Sequence, residues 1–383
     1  MQRVCNPLKV FFAGGGTGGH LMAGVAVAEG IRSRFPDAEI VFFSTGNALE
    51  RRCLAGRGFG FFPLRATGWR GSLKNMAVFF FGFILSLLRC IWALRSMRPD
   101  VVFGLGGYAS LAPAISAFLL RVPVILLEQN VIPGRANRFL SRWAQCVLCH
   151  WPSTGRWFRG LKGFHLTGTP LREELFGYQR QRAADLFGLS PQGTTLLVLG
   201  GSQGAKAVNN AVMACLPSLV ERFIHLQVIH SAGKGDYQRL KATYQRLGLR
   251  ARVYDFLEEM GAAYSMADLV VSRAGATTLA ELTAWGIPAV LIPYPHGTDD
   301  HQYKNALELS SRGAAVLLEE RCGSAKLLEI LSQLLSDPER LKRMAETSRA
   351  LGRPTASREV IDLMQRVLPQ EKRRGQYAAS CIR

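Results

Sequence analysis

The sequence predicts an α/β protein with two domains, each built on a parallel sheet. Short runs of β-branched and aromatic residues alternate with segments of helical length along all 383 residues, which is the pattern of strands wound with helices. A chain of this length forms about two domains when each takes roughly 100–200 residues. The series of strands begins twice, and each time its first strand runs into a cluster of glycines. We therefore expect two Rossmann-like domains that face each other across a cleft.

The strand signals divide into two series. The first predicts strands at residues 9–12, 39–43, 101–103, 122–127 and 146–149, and the second at residues 195–199, 226–230, 252–254, 269–272 and 289–292. Glycine and proline between Thr167 and Arg172 interrupt the pattern and indicate a linker. The predicted domains are thus residues 1–170 and 171–354, and we expect a disordered tail at residues 369–383.

The composition is that of a globular protein in a reducing compartment. Hydrophobic residues make up 48% of the chain, and its glycines and prolines are spread along it. The eight cysteines are too scattered for a disulfide framework. Cys146, Cys149 and His150 match the spacing of a haem-attachment motif, but that chemistry requires export, and the apolar stretch of residues 10–13 is too short for a signal peptide. We therefore interpret them as part of a buried strand.

The chain is strongly basic, with a formal net charge of +19, and most of the excess lies in residues 1–170. This charge indicates an anionic partner, for which nucleic acid and an acidic membrane are the candidates. An RNA-binding protein would show basic strands studded with aromatic residues or an arginine-rich tail. The sequence has neither, beyond a short basic run at residues 372–374. We therefore expect an anionic membrane surface as the partner and no nucleic acid.

One apolar segment predicts a helix at a lipid interface. Residues 76–88 carry no charge, and the apolar character continues to Leu94 with Arg89 as its only interruption. A helix that crosses a bilayer needs about 20 apolar residues, so this segment is marginal for that role. On a helical wheel one narrow stripe collects small, polar or charged residues, namely Gly82, Ser86, Arg89 and Ala93.

Large apolar side chains cover the rest of that helix. A helix packed on one sheet buries a single stripe, so the surplus must meet another apolar phase. The candidates for this contact are Val78, Phe79, Phe80, Phe81, Phe83, Ile84, Leu87, Leu88 and Trp92. Cations flank the helix, as expected next to lipid headgroups, and they are Arg65, Arg70, Lys74, Arg95 and Arg98. The alternative is a core helix covered by a neighbouring loop.

The glycine-rich turn after the first strand predicts that a polar ligand approaches a helix N-terminus. Residues 14–19 contain the spacing Gly-x-Gly-x-x-Gly. A nicotinamide enzyme would have an acidic residue at the end of the second strand, and a P-loop would have lysine where His20 stands. What remains is a turn that brings a polar or anionic group to unpaired N–H groups. His20 is a candidate general base, with a capping or packing role as the alternative.

Two further turns predict a nucleotide site in the second domain. Residues 200–204 form a second glycine turn, which adds the hydroxyl of Ser202 to its backbone donors. After a later strand, Thr277 and Glu281 lie four residues apart and thus on one face of a helix. A carboxylate at Glu281 can accept hydrogen bonds from both hydroxyls of a ribose. The alternatives are a plain tight turn and an exposed helical glutamate.

A loop rich in hydrogen-bonding groups follows the last predicted strand. It spans residues 293–305 and contains Asp300, His301 and Gln302. Open α/β sheets bind ligands beyond the carboxyl ends of their strands, so we expect this loop to contact substrate. The chain has no Asp-x-Asp pair, so we expect no metal ion that bridges a diphosphate.

These motifs together resemble the MurG family of peripheral membrane glycosyltransferases, which complete the lipid-linked peptidoglycan precursor. The resemblance runs from about Lys9 to at least Gly313. It rests on residues 14–20, 106–108, 128–130, 168–172, 200–205 and 273–281, and on His301, Gln302 and Asn305. It implies the two-domain GT-B fold, with a final helix at about residues 355–368 that returns to the first domain.

The resemblance also implies an activity and a location. The enzyme would transfer N-acetylglucosamine, with inversion, from UDP-N-acetylglucosamine. The acceptor would be the 4-hydroxyl of an undecaprenyl-diphosphate-linked N-acetylmuramoyl-pentapeptide. This step converts lipid I into lipid II at the cytoplasmic face of the inner membrane, and it would need no cofactor.

The resemblance assigns site residues by position. In the donor site, Glu281 would bind the ribose hydroxyls, and His301 and Gln302 would contact the sugar. The diphosphate would be reached by Arg172 and by Ser202, with Gln203 in the same turn. The uracil would be framed by Phe256, Leu257 and the backbone of Ala276, Thr277 and Thr278. The acceptor would lie on Thr17, Gly18 and Gly19, together with Tyr108 and Asn130.

An inverting transfer needs an acceptor hydroxyl that loses its proton as it attacks the anomeric carbon. His20 is the candidate base, and Asp300 is the reserve. The departing diphosphate would be stabilised by Ser202, Arg172 and the N-terminus of a helix. Two other functions stay open on the sequence alone. One is a related transferase that glycosylates diacylglycerol, and the other is a nucleotide-sugar-binding regulator without turnover.

Overall fold

The computed structural model describes residues 7–15, 18–64, 73–161, 163–200 and 204–368, and for residues 73–79 and Thr298 it describes the backbone only. The chain divides into two compact units. One comprises the described residues of Met1–Arg172 together with those of Pro354–Arg383, and the other comprises those of Glu173–Arg353. The tail expected at residues 369–383 lies outside the described residues.

The first unit is a seven-stranded parallel sheet covered by helices. Its strands are β1 Lys9–Gly14, β2 Glu39–Ser44, β3 Gly60–Pro63, β4 Val101–Gly106, β5 Val124–Glu128, β6 Cys146–Cys149 and β7 Phe164–Leu166. The helices between them are α1 Gly18–Arg34, α2 Ala48–Leu54, α3 Leu73–Met97, α4 Leu111–Leu119 and α5 Arg135–Leu140. The strands lie in the order β3-β2-β1-β4-β5-β6-β7. The winding therefore reverses between β1 and β4, and the carboxyl edge at such a reversal is where open α/β sheets bind ligands.

Hydrophobic side chains cover both faces of this sheet, as a parallel sheet between two layers of helices requires. Phe12 of β1 lies in register with Phe42 of β2 and with Phe103 of β4. Its ring stacks on theirs at centroid distances of 4.8 and 5.1 Å. The neighbouring Phe11 points to the other face, where its ring lies 5.2 Å from that of Phe43. Successive residues of β1 thus anchor the two helix layers.

The second unit is a six-stranded parallel sheet with the order β10-β9-β8-β11-β12-β13. Its strands are β8 Thr194–Leu199, β9 Leu226–Ser231, β10 Ala251–Tyr254, β11 Leu269–Ser272, β12 Ala289–Leu291 and β13 Ala315–Leu317. Its helices are α6 Arg180–Phe187, α7 Lys206–Arg222, α8 Tyr237–Arg246, α9 Met260–Met266, α10 Ala276–Trp285, α11 His301–Ser310, α12 Gly323–Leu335 and α13 Pro338–Leu351. The winding reverses between β8 and β11, so the same type of ligand edge recurs.

The last described helix, α14 Ala356–Val367, belongs to the first unit although it follows the second in the chain. Its Val360, Ile361 and Met364 join the buried cluster that contains Val27 and Ile31 of α1. Helix α14 therefore contributes to the core of the first unit.

The predicted fold class, two parallel sheets wound with helices, is confirmed. Every strand predicted from the sequence is present, with shifts of a few residues at the ends. The sequence pattern does not indicate β3, β7 or β13. Two of these strands form the edges of the first sheet and the third forms an edge of the second. At most one residue in each of these three strands is buried, so they lack the continuous buried run that marks the central strands.

Helix α3 buries the narrow face that carries its small residues. Ser86, Cys90 and Ala93 are buried. The helix packs against α4, whose Ser116 hydroxyl donates to the carbonyl of Leu87 at 3.3 Å. The stripe expected from the sequence therefore faces the protein, although Arg89 at its border is exposed.

Large apolar side chains cover the opposite face of α3. Six of them are exposed, by 36% for Ile84 and by up to 72% for Phe81, and the others are Phe80, Leu85, Leu88 and Trp92. We refer to these six side chains as the apolar face of α3. By length and composition alone, Phe80–Met97 could cross a membrane, and only 22% of this segment is buried. These exposures show that the described residues do not cover this face, as the alternative of a core helix beneath a neighbouring loop would require.

Candidate active site

The first glycine turn brings the ends of β1 and β4 into direct contact. Gly14 has φ +115°, and a Cβ on it would lie 2.5 Å from the carbonyl oxygen of Gly106 at the end of β4. Only glycine fits there. Gly18 and Gly19 then open α1, so their backbone N–H groups belong to the helix N-terminus. Thr17 lies outside the described residues.

His20, the third residue of α1, is half-buried at this edge of the sheet. A Cβ on Gly106 would lie 3.9 Å from its Nε2 atom, which places the imidazole beside the end of β4. Burial lowers the pKa of His20. The imidazole is therefore neutral at neutral pH, which is the form that accepts a proton.

The end of β5 contributes a buried carboxylate that organises the next loop. Glu128 accepts hydrogen bonds from the backbone N–H groups of Asn130 and Gly134, each at 2.9 Å. It also accepts one from Nδ2 of Asn137 at 2.9 Å. Burial raises the pKa of Glu128, and these hydrogen bonds oppose that shift. Asn130, predicted to contact the acceptor, thus has its backbone held by a neighbour, while Tyr108 at the end of β4 is 49% exposed.

Glu128 and Asn137 have no role of their own in the sequence-based site, although residues 128–130 belong to the family motif. The sequence does contain a feature that points to a role for Glu128, because this carboxylate ends the otherwise apolar strand of residues 124–128. A carboxylate at the end of such a strand is buried against the loop that follows. Burial is costly unless the carboxylate accepts hydrogen bonds, so the loop has to supply the donors.

The glycine turn of the second unit is equally tight. Gly204 has φ +77°, and a Cβ on it would lie 2.6 Å from the carbonyl oxygen of Ala232, beyond the end of β9. Asn209 of α7 donates from Nδ2 to the same carbonyl at 2.9 Å. The start of α7 is therefore tied to the end of β9. Ser202 and Gln203 precede Gly204 in this turn, and both lie outside the described residues.

Helix α10 carries a carboxylate in its second turn. Gly275 precedes the helix and has no side chain with which to cap it, and Ala276, Thr277 and Thr278 form the first turn. Glu281 is half-buried on the same helix face as Thr277, and it accepts a hydrogen bond from the hydroxyl of Tyr264 at 2.7 Å. Among the described residues, no group hydrogen-bonds the buried hydroxyl of Thr277. Helix N–H donors and a fixed carboxylate are therefore close together on one element.

Two residues predicted to frame the uracil follow β10. Leu257 is 5% exposed. Phe256 is half-buried, and its backbone N–H donates to Oδ1 of Asp255 at 2.8 Å. Both residues follow the carboxyl end of a strand of the second sheet, as the turns after β8 and β11 do.

Arg273 ties together the loops that follow β11, β12 and β13. Its Nη1 donates to the carbonyls of Ile292 and Pro293, each at 3.1 Å. The same atom lies 2.6 Å from Oε2 of Glu320, and the guanidinium lies 5.5 Å from the ring centroid of Tyr294. Arg273 therefore supports three of the loops at the ligand edge, a role that its place in the family motif does not reveal.

The loop after β12 holds the predicted sugar contacts. Oε1 of Gln302 accepts from the backbone N–H of Tyr294 at 2.9 Å, so the amide group is oriented. His301 begins α11 and is half-buried. Asp299 and Asp300 have φ values of 52° and 51°. Two successive residues in the left-handed region are a strained arrangement that clusters at functional sites.

The remaining predicted residue is Arg172. The first unit consists of two segments of the chain, and Arg172 is the last residue of the first segment. It is half-buried, and its charge opposes the burial that raises the pKa of the Cys53 thiol. These site residues divide between the two units. The first unit contains Gly18, Gly19, His20, Asn130 and Arg172. The second contains Phe256, Leu257, Ala276, Thr277, Thr278, Glu281, Asp300, His301 and Gln302.

Both halves of the chain match the models of one enzyme family. Residues 10–149 match the glycosyltransferase family 28 N-terminal domain, and residues 195–366 match the glycosyltransferase family 28 C-terminal domain.

Relatives of known name cover nearly the whole chain. A protein of Thermodesulfovibrio yellowstonii is 38% identical over 95% of this chain and 100% of its own length. One of Anaeromyxobacter sp. (strain Fw109-5) is 40% identical over 93% of this chain and 92% of its own length. Both are named UDP-N-acetylglucosamine–N-acetylmuramyl-(pentapeptide) pyrophosphoryl-undecaprenol N-acetylglucosamine transferase.

Solved structures show the same architecture. The crystal structure of MurG from Acinetobacter baumannii is 28% identical, with a TM-score of 0.74 over 94% of this chain and 100% of that one. A UDP-GlcNAc 2-epimerase from Neisseria meningitidis, bound to UDP-GlcNAc, has a TM-score of 0.66 over 94% of this chain and 100% of that one. At 15% identity this epimerase shares the fold alone. The chain therefore belongs to glycosyltransferase family 28 and, within it, to the MurG family whose motifs its sequence carries.

Proposed function

We propose that this chain transfers N-acetylglucosamine, with inversion, from UDP-N-acetylglucosamine to the 4-hydroxyl of undecaprenyl-diphosphate-linked N-acetylmuramoyl-pentapeptide. This reaction converts lipid I into lipid II in peptidoglycan synthesis. The names of relatives that match almost the full chain support it. The structural observation that carries the proposal is the carboxylate of Glu281, held by the hydroxyl of Tyr264 in the second turn of α10, the helix that follows β11 at the ligand edge of the second sheet.

The donor nucleotide lies on the second unit in this proposal. Glu281 accepts hydrogen bonds from the two ribose hydroxyls. The uracil packs against Phe256 and Leu257 and meets the backbone of residues 276–278. His301 and the oriented amide of Gln302 contact the sugar. The half-buried setting of Glu281 strengthens its hydrogen bonds relative to those of an exposed carboxylate.

The diphosphate leaves as an anion, so its stabilisation lowers the barrier most directly. Ser202, Gln203 and the backbone of their glycine turn serve this purpose, and Arg172 adds a positive charge. Helix N-termini such as that of α7 favour negative charge. We propose that these groups suffice without a cofactor.

The acceptor lies on the first unit. The turn that contains Thr17, Gly18 and Gly19 receives it, with Tyr108 and Asn130. His20 takes the proton of the attacking hydroxyl, because its lowered pKa keeps the imidazole neutral. Asp300 is the reserve base, but it belongs to the second unit and is exposed.

We also propose that the enzyme sits peripherally on the anionic cytoplasmic face of the inner membrane, where its lipid acceptor resides, and that it binds no nucleic acid. The apolar face of α3 supports this because six large exposed side chains need an apolar phase. Arginines accompany aromatic residues in the same unit. The guanidinium of Arg138 lies 5.0 Å from the ring centroid of Trp157, and that of Arg142 lies 5.8 Å from that of Phe139. Such cations attract anionic headgroups.

The proposed activity is tested by turnover of UDP-N-acetylglucosamine in parallel assays. We expect release of UDP, and a disaccharide product, with a short-chain muramyl lipid acceptor and none with diacylglycerol. Turnover with diacylglycerol instead would assign the chain to a different acceptor. Binding of the donor without turnover on either lipid would make the chain a regulator.

Glu281→Ala should weaken UDP binding roughly 10- to 100-fold, because it removes hydrogen bonds to a charged acceptor. Titration calorimetry measures the affinity, and thermal unfolding verifies the fold. Glu221→Ala is the matched control, since Glu221 is exposed at the far end of α7. Wild-type affinity in the Glu281 variant would remove the ribose assignment.

His20→Ala should lower kcat by about 10²- to 10⁴-fold, the usual contribution of a general base, with donor affinity nearly unchanged. Because burial lowers the pKa of His20 from 6.5, the wild-type rate should persist below pH 6.5 and fall only when the imidazole is protonated. The exposed His225→Ala is the control. A near-wild-type rate in the His20 variant would give the base role to another group.

Replacing Phe80 and Ile84 by Glu should release the protein from vesicles that contain anionic lipid, because two charges would enter the apolar face of α3. Sedimentation with the vesicles measures the bound fraction. The matched control replaces Leu186 and Ile224 by Glu, since these exposed apolar residues lie in the second unit and the change in net charge is the same. Equal retention of both variants on the vesicles would refute the interfacial role of α3.

A further inference from the structure

We propose that Tyr264 is a positioning residue for the donor nucleotide, because its hydroxyl holds the Glu281 carboxylate in the orientation that receives the ribose. The inference deepens the proposed function and rests on it, since it concerns the nucleotide that Glu281 binds. Neither the sequence motifs nor the family resemblance gave Tyr264 a role.

The contact joins two helices that are adjacent in space but separate in sequence. Tyr264 lies on α9 and is 1% exposed, so its ring belongs to the core. Its hydroxyl donates to Oε2 of Glu281 on α10 at 2.7 Å. A short hydrogen bond from a buried hydroxyl to a carboxylate is among the stronger kinds in proteins.

The ring of Tyr264 cannot easily move away from this position. Its centroid lies 6.5 Å from that of Trp285, which follows Glu281 by one helical turn. Trp285 stacks in turn on Phe176 at 6.0 Å. On the other side, α9 lies directly against the carbonyl of Leu175, because a Cβ on Gly261 would approach that oxygen to 2.5 Å. The hydroxyl is therefore presented from a rigid support.

Glutamate has a flexible side chain, and a ligand that orders it must overcome the loss of rotamer freedom. The hydrogen bond from Tyr264 removes much of this freedom before the nucleotide arrives. A carboxylate offers about four acceptor positions on its two oxygens, so the hydrogen bond from Tyr264 does not exhaust its capacity to accept. Tyr264 therefore contributes to affinity through preorganisation, without touching the ligand.

The test is Tyr264→Phe, which keeps the buried ring and removes only the hydroxyl. UDP affinity should fall about tenfold, the effect of one lost hydrogen bond to a charged group. Affinity for 2′-deoxy-UDP should change less, so the preference for UDP over the deoxy analogue should shrink. The value of kcat at saturating donor should stay within about twofold, because the hydroxyl affects binding and not the reacting atoms.

Tyr244→Phe is the matched control. Tyr244 is 2% exposed in the same unit, and its hydroxyl also makes a buried hydrogen bond, to Nδ1 of His230 at 2.9 Å. Tyr244→Phe therefore also removes a buried hydroxyl and its hydrogen bond, but away from Glu281. We expect the preference for UDP over 2′-deoxy-UDP to stay at the wild-type value in this control.

A double substitution separates the failure of this inference from that of the proposed function. In the Glu281→Ala background, Tyr264→Phe should have no further effect on UDP affinity. A wild-type preference for UDP in folded Tyr264→Phe, with a reduced one in Glu281→Ala, would overturn the role of Tyr264 and leave the nucleotide site intact. Unchanged UDP affinity in Glu281→Ala would overturn both.

Discussion

The close approach of backbones at the two glycine turns is the constraint on which the site depends. At Gly14 the turn after β1 touches the end of β4, and at Gly204 the turn after β8 touches the segment after β9. No side chain fits at either contact, and the N-termini of α1 and α7, which favour negative charge, follow within four residues of these glycines. The polar side chains of each unit are then arranged around these turns by the parallel sheet, because all its strands end at the same edge.

The sequence predicts the parts of the structure that local patterns encode. The long buried strands, both glycine turns and the helix that carries Glu281 follow from runs and spacings within a few residues of one another. The edge strands β3, β7 and β13 escape this reasoning because at most one residue in each is buried, so they lack the continuous buried run of the central strands. The supports of the site escape it for another reason. Tyr264 with Glu281, and Arg273 with Glu320, are contacts between residues that only the fold brings together.

Helix α3 shows what a hydrophobic sequence pattern can predict and what it cannot. Its composition predicts more apolar surface than one sheet can cover, and the exposure of Phe81 and Trp92 agrees with that expectation. The pattern alone does not predict which face of α3 is buried. Small side chains such as Ala93 allow α3 to approach α4 closely, so the narrow face turns inward and the bulky face turns outward. A basic unit with such a face suits a substrate that is held in a membrane, while the second unit remains free to bind a soluble nucleotide.

The central claim is that a uridine diphosphate binds the second unit through its ribose and its base. Titration calorimetry of the intact chain with UDP and, separately, with ADP tests it most directly. The account predicts saturable heat for UDP at one site per chain and much weaker binding of ADP, because the proposed base contacts with Phe256, Leu257 and the start of α10 favour the smaller base. Well-folded protein that gave no heat with UDP, or bound ADP equally well, would contradict it.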